Sequence, residues 1–142
     1  MSLSVLLPVD DSLAAHRAIQ YIIRMKERMP MSVTLLTVIP VGQLEYHGFQ
    51  LSQIEMIKER ARLVSGKMMQ RYQEELERAG ILVDTRIEEG NPAEIICRVA
   101  AQEGIDMVVI SPNSSGTLTN LVFGSVTNKV VHECHLPVLL VR

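Results

Sequence analysis

The sequence predicts an α/β domain: one parallel sheet with helices on both faces. Three observations predict it. Segments of strand and helix pattern alternate strictly along the 142 residues. The run Met107-Val108-Val109-Ile110 is apolar without a break, the pattern of a strand buried on both sides. Turn and cap residues punctuate the junctions, at Asp10-Asp11-Ser12, Pro30, Pro40, Gly80, Gly90-Asn91-Pro92 and Pro137. Parallel neighbours need crossovers, and strand–helix–strand crossovers are right-handed, so the expected architecture has three layers, helices, sheet and helices. With no internal repeat, linker or low-complexity segment, residues 1–142 are expected to form one domain.

The first strand is Leu3 to Val9, with Pro8 near its end where a lost ladder donor is tolerated. Asp10-Asp11-Ser12 supplies a turn and an N-cap. Ala15, Ala18, Ile19, Ile22, Met25 and Met29 then recur at helical spacing until Pro30. Val33 to Ile39 is the second strand, and Val41 to Gln50, with Gly42 and Gly48, is expected to be a mobile loop. A long helix follows, with Ile54, Ile57, Ala61, Val64, Met68, Tyr72, Leu76 and Ala79 on one face and charges on the other. Gly80 is its expected stop. Ile81, Val83, Thr85 and Ile87 alternate, so the third strand should be half-exposed and at a sheet edge. Asn91 and Pro92 are the N-cap and first residue of the third helix, which Gly104 should end. Met107 to Ile110 is the fourth strand, a helix is expected from about Thr119, and Val138 to Val141 is the last strand.

Composition narrows the function classes. Hydrophobic residues make up 47%, too many for a disordered chain, and no apolar run is long enough to span a membrane. No signal pattern opens the sequence, so a cytoplasmic protein is expected. A net charge of −2 makes no electrostatic case for nucleic acid. Cys97 and Cys134 lie far apart and match no CxxC pattern; in a reducing compartment they would be two small buried hydrophobes, and sequence leaves a disulfide open. His132, Cys134 and His135 are close enough to suggest metal ligands, but the chain then passes into a strand that would scatter them, so no metal site is expected there.

The candidate site lies between Asp106 and Val126. Ser111 to Thr119 is a loop of small polar residues between a buried strand and a helix start. Loop and helix N–H groups can converge there on an anion, favoured by the helix dipole. Ser111, Ser114, Ser115, Thr117, Thr119 and Ser125 offer hydroxyls; an ordinary polar turn is the plain alternative. In doubly wound sheets ligands sit beyond the strand carboxyl ends where strand order reverses. If the first and fourth strands are neighbours, Asp10 and the Ser111 loop share one crevice. Asp11-Ser12 can cap the helix without Asp10, which leaves its carboxylate free.

Taken in order, several segments resemble the universal stress protein family over essentially the whole chain. They are Leu7-Pro8-Val9-Asp10, Leu36-Thr37-Val38, Glu89-Gly90-Asn91-Pro92-Ala93, Asp106-Met107-Val108-Val109-Ile110-Ser111, Phe123-Gly124-Ser125-Val126 and the ending Leu136 to Arg142. The resemblance implies a Rossmann-like, five-stranded parallel sheet in order 3-2-1-4-5. It also implies dimerisation and, in one branch, ATP binding, with Mg²⁺ or Mn²⁺ on the phosphates. That branch carries Gly-x-x-Gly, nine residues, then Gly-Ser or Gly-Thr. Gly124-Ser125 matches the last pair, whereas Ser111 and Ser114 stand at the first two positions. Glycine there permits positive φ and close approach of backbone to phosphate, and serine permits it less well. By resemblance Asp10 is the acid on the adenine side, Val38 lines the base, and the implied nucleotide site comprises Pro8, Val9, Asp10, Val38, Ile110, Ser111, Ser114, Gly124, Ser125 and Val126.

Two readings follow: an adenine-nucleotide binder in a stress or regulatory role, or a relative that binds no nucleotide and acts as a dimeric interaction module. No general base beyond Asp10 stands near the loop, so at most weak ATP hydrolysis is expected. A phosphorelay receiver would need an acceptor Asp at the end of its third strand and a Lys after its fifth, and neither is present. No HIGH-like motif supports a nucleotidyl transferase of related fold. In the implied order the last strand, Val138 to Val141, is an uncharged edge, which invites antiparallel pairing with a second copy.

Overall fold

The computed structural model describes residues 2–42, 47–102, 104–112 and 124–142. Among them five strands and four helices alternate: β1 (Leu3–Pro8), α1 (Leu13–Lys26), β2 (Met31–Ile39), α2 (Leu51–Arg78), β3 (Leu82–Glu89), α3 (Pro92–Ala100), β4 (Met107–Ile110), α4 (Gly124–Glu133) and β5 (Val138–Leu140). All ladders are parallel and the order is β3-β2-β1-β4-β5. The expectations for residues 43–46 of the loop after the second strand, and for Ser114, Ser115, Thr117 and Thr119, lie outside the described residues.

Strand alternation sorts the core into two clusters. Val5, Leu7, Leu35 and Val109 face one way, onto Ile19 and Ile22 of α1 and Met68, Tyr72 and Leu76 of α2. Leu6, Leu36 and Val108 face the other, onto Ile96 and Val99 of α3 and Val130 of α4. β1 is central, and Val5, Leu6 and Leu7 are fully buried. Each such aliphatic side chain contributes about 1.5–3 kcal/mol over its exposed state. The chain therefore builds its core from aliphatic side chains on both sheet faces.

Local chemistry sets the helix ends. Ser12 caps α1, its hydroxyl accepting from the Ala15 N–H at 3.2 Å. Asn91 caps α3, accepting from the Glu94 N–H at 3.2 Å, with Pro92 in the first turn. α2 closes in a Schellman turn: Gly80 N–H donates to the Glu77 carbonyl at 2.9 Å and Ile81 N–H to Leu76 at 3.1 Å. Gly80 has φ +85°, a conformation that glycine reaches without penalty.

Several details differ from the sequence reading. α1 stops at Lys26, so Met29 lies beyond it and is exposed. α3 stops at Ala100, four residues before Gly104. In α2 the buried face comprises Ile54, Met68, Met69, Tyr72 and Leu76, whereas Ile57 and Val64 are exposed, with Leu51, Met56 and Leu63 beside them. The reason is length. Twenty-eight helical residues span about 42 Å, whereas the nine residues of β2 span about 30 Å, so part of the first half of the helix outruns its cover, with Ile54 still buried. The cysteines are corrected too: Cys97 and Cys134 are half-buried and disulfide-bonded, with Cα atoms 5.1 Å apart.

Candidate functional site

The strand order reverses between β1 and β4. From β1 the sheet grows through β2 to β3 on one side and through β4 to β5 on the other. A crevice of about 450 Å³ opens beyond the carboxyl ends of these strands. Nine of the ten residues anticipated from sequence line it: Pro8, Val9 and Asp10 from the end of β1, Val38 from β2, Ile110 and Ser111 from the end of β4, and Gly124, Ser125 and Val126 from the start of α4. Ser114 lies outside the described residues. Parallel pairing brings the β1 and β4 ends together, since Leu6 sits opposite Val108.

The acid side is firmly built. Val9 N–H donates to the Leu36 carbonyl at 2.8 Å, carrying the β1–β2 ladder to the last residue before Asp10. Tyr72 of α2 donates its phenolic hydroxyl to the Asp10 carbonyl at 2.9 Å, and the ring is 3% exposed. His16 meets that ring edge-on, with centroids 5.4 Å apart. Burial first, then the nearby carboxylates of Asp11 and Asp10, push the Tyr72 phenol above its ordinary 10.0, so it stays a donor at neutral pH. Because Ser12 caps α1, the exposed Asp10 carboxylate is not consumed by the helix.

The other side presents the start of a helix. Gly124 has φ +70°, and a Cβ added there would meet nothing within 4 Å among the described residues. Glycine at this position therefore serves the backbone conformation. Ser111 is a departure from expectation: its hydroxyl donates to the Val141 carbonyl at 2.8 Å, tying the end of β4 to the end of β5. It can still accept, but that proton is not offered to an anion.

Sequence reasoning missed Ala15, Thr37, Pro40, Pro92, Ile96 and Thr127, which also line the crevice. Thr37 and Thr127 are the buried polar residues among those described. Thr37 was legible as the polar residue at the carboxyl end of an apolar strand; Thr127 carried no such signal. Glu88 and Glu89, at the end of β3, are engaged by Arg86 at 2.7 Å, Arg98 at 3.9 Å, Lys58 at 3.9 Å and Arg62. Among the described residues no group of three His, Cys, Asp or Glu side chains is placed to hold a metal ion. Cys134 is bonded to Cys97, which removes it from the suggested His132 cluster.

A larger hollow, about 700 Å³, lies along Ser4, Ser32, Thr34, Leu82 and Asp84. These residues sit in the amino-terminal halves of their strands, away from the switch point where such sheets bind ligands, and among the described residues its lining includes no helix start. The crevice at the carboxyl ends is the better candidate despite its smaller volume.

The profile of the universal stress protein family matches residues 1–142. A putative universal stress protein of Staphylococcus haemolyticus is 28% identical over 98% of this chain and 84% of its own. Universal stress protein MJ0577 of Methanocaldococcus jannaschii is 27% identical over 97% of this chain and 93% of its own. The solved structure of MJ0577 superposes with a TM-score of 0.84, covering 99% of this chain and 96% of its own at 28% identity. The structure of the Archaeoglobus fulgidus universal stress protein in complex with dAMP shares the fold, with a TM-score of 0.66 over 99% of this chain and 98% of its own at 17% identity.

Proposed function

Because the chain belongs to the universal stress protein family, we propose that its crevice takes an adenine nucleotide, ATP first among them, and that the protein acts as a nucleotide-responsive regulator in the cytoplasm. One observation carries the reading: the Asp10 turn, Val38 and the Gly124-Ser125 helix start line a single crevice at the switch point. About 450 Å³ falls in the usual range for small-molecule sites. Pro8, Val38, Pro92 and Ile96 give an apolar wall suited to a base, and Gly124 with φ +70° opens the helix N-terminus to phosphate. A relative of the same fold has been solved with dAMP, which supports the ligand class. Mg²⁺ or Mn²⁺ would be held mainly by the phosphates, since Asp10 is the carboxylate at the crevice and Mg²⁺ commonly binds through one or two carboxylates plus phosphates. Calorimetric titration with Mg-ATP to millimolar concentration tests the proposal; heat and a raised melting temperature are expected, and the absence of both overturns it. The second reading, a dimeric interaction module without nucleotide, is favoured by Ser111, whose hydroxyl is engaged with Val141 where the family's ATP branch has glycine.

The proposed assembly is a homodimer through β5. The two sheet edges differ: β3 carries Asp84, Arg86, Glu88 and Glu89, whereas Val138, Leu139 and Leu140 carry no charge. Charged edges are guarded against pairing and apolar ones invite it. Val141 N–H donates inward to Ile110 and Pro137 accepts inward from Val108. Ladder alternation therefore turns the Leu140 N–H outward, toward a partner edge. Leu140→Pro removes that donor and should give a folded monomer by light scattering; an undiminished dimer places the interface elsewhere.

A further inference from the structure

We propose that Cys97 and Cys134 form a thiol–disulfide exchange site whose oxidised state braces the α4 side of the crevice and whose reduction by a dithiol releases it. The chain has two cysteines and each is the other's partner, with Cα atoms 5.1 Å apart, inside the 4.4–6.8 Å that a bridge requires. Cys97 follows Ile96 of the crevice wall. Cys134 ends α4, its N–H donating to the Val130 carbonyl at 3.0 Å, and the other end of the same helix supplies Gly124 and Ser125. The bond thus joins the two helices that flank one side of the crevice.

Three features distinguish this pair from a staple that the fold requires. The chain already has an aliphatic cluster on each sheet face, so it does not depend on a bridge in place of a core. Both cysteines pack against the second cluster, where two reduced thiols would sit as small apolar side chains. Both residues are half-buried rather than sealed in the core, as exchange by an external thiolate requires. The leverage of the bond is local: of the ten residues of α4, Thr127 and Val130 are buried and Val126 packs partly against the second cluster.

In the exchange a thiolate of the dithiol attacks one Sγ. The Cys97–Cys134 bond breaks, and its electron pair leaves on the other Sγ, which takes a proton from water. The second thiol of the dithiol then attacks the mixed disulfide, releases the remaining protein thiolate and closes the reagent's own disulfide. The protein gains two electrons and two protons, and the dithiol loses them. A low-molecular-weight disulfide such as oxidised glutathione reverses the exchange.

The test uses the full chain in both states, with dithiothreitol as reductant and oxidised glutathione as oxidant. Iodoacetamide labelling read by intact mass should add nothing to the oxidised protein and two groups to the folded, reduced one. Hydrogen exchange across residues 124–134 should quicken about tenfold on reduction, with β1 and β2 unchanged. The affinity for Mg-ATP should fall several-fold, and Cys97→Ser should hold the reduced value in both reagents. The affinity measurement alone rests on the nucleotide proposal. If the oxidised protein gives no heat with ATP, that proposal fails while labelling and exchange still decide this one. A pair that resists reduction in the folded protein, or equal exchange across 124–134 in both states, overturns it.

Discussion

On one side of the crevice, Asp10 sits in a turn fixed from three directions: the β1–β2 ladder reaches Val9, Ser12 caps the next helix, and Tyr72 donates to the Asp10 carbonyl. On the other side, Gly124 and Ser125 begin a helix that buries two residues and is tied to α3 by the Cys97–Cys134 bond. The first wall is held by hydrogen bonds between elements whose spacing the sheet already sets. Among the described residues, the second is held by Val126 and Val130 packing on the second cluster and by one covalent link. A site can therefore be rigid where it reads one end of a ligand and adjustable where it grips the other, within one small domain.

The largest expected effect falls on the second wall. Replacing both cysteines by serine releases a loop of 37 residues and should lower the unfolding free energy by about 3–4 kcal/mol in urea titration. A loss under about 1 kcal/mol would mean that packing alone holds α4. Next, Gly124→Val forces a β-branched side chain to φ +70° and should cost about 1–3 kcal/mol while abolishing the calorimetric response to ATP. If binding survives, the helix start is not where phosphate sits.

Tyr72→Phe probes the first wall. Loss of the bond to Asp10 should cost about 1–2 kcal/mol and weaken ATP binding, with no change in redox response. The pH dependence has a definite sign. A phenol whose pKa is raised on folding contributes stability that is complete below 10.0 and is lost as pH rises through the folded value. The wild type should therefore lose stability above pH 10.0 more steeply than Tyr72→Phe. Parallel alkaline curves would remove Tyr72 from the account.

The smallest effect is expected for Ser111→Ala, about 0.5–1.5 kcal/mol of stability from the lost bond to Val141, with ATP affinity unchanged. A drop in affinity without a drop in stability would return Ser111 to the list of ligand donors.

Features set by local spacing were the most legible. Ser12, Asn91-Pro92 and Gly80 act within a few residues of themselves, so their roles follow from local spacing. Strand alternation gave the sheet faces, and the ordered family resemblance gave the strand order found in the structure. What the sequence left hidden depends on distant parts meeting. Nothing near Cys97 announces Cys134, and nothing near Tyr72 announces Asp10, sixty-two residues away. Ile57 and Val64 keep the helical period of the core face but lie past the end of what they should cover. The Ser111 hydroxyl was available to a ligand by composition and is engaged by a carbonyl that only the β4–β5 pairing brings near.

The overhang of α2 has its own thermodynamic consequence. From Met68 to Leu76 the helix is anchored in the core and can open only with the whole domain. From Leu51 to Val64 it is secured at Ile54 and by the ion pairs of Lys58 and Arg62 with Glu89, and otherwise relies on its own backbone bonds, over a length at which isolated helices are marginal in water. One continuous helix thus contains two units of unequal cooperativity. Unwinding should start at Leu51 and stall near Met68, and the exposed thioether of Met56 should oxidise well before those of Met68 and Met69.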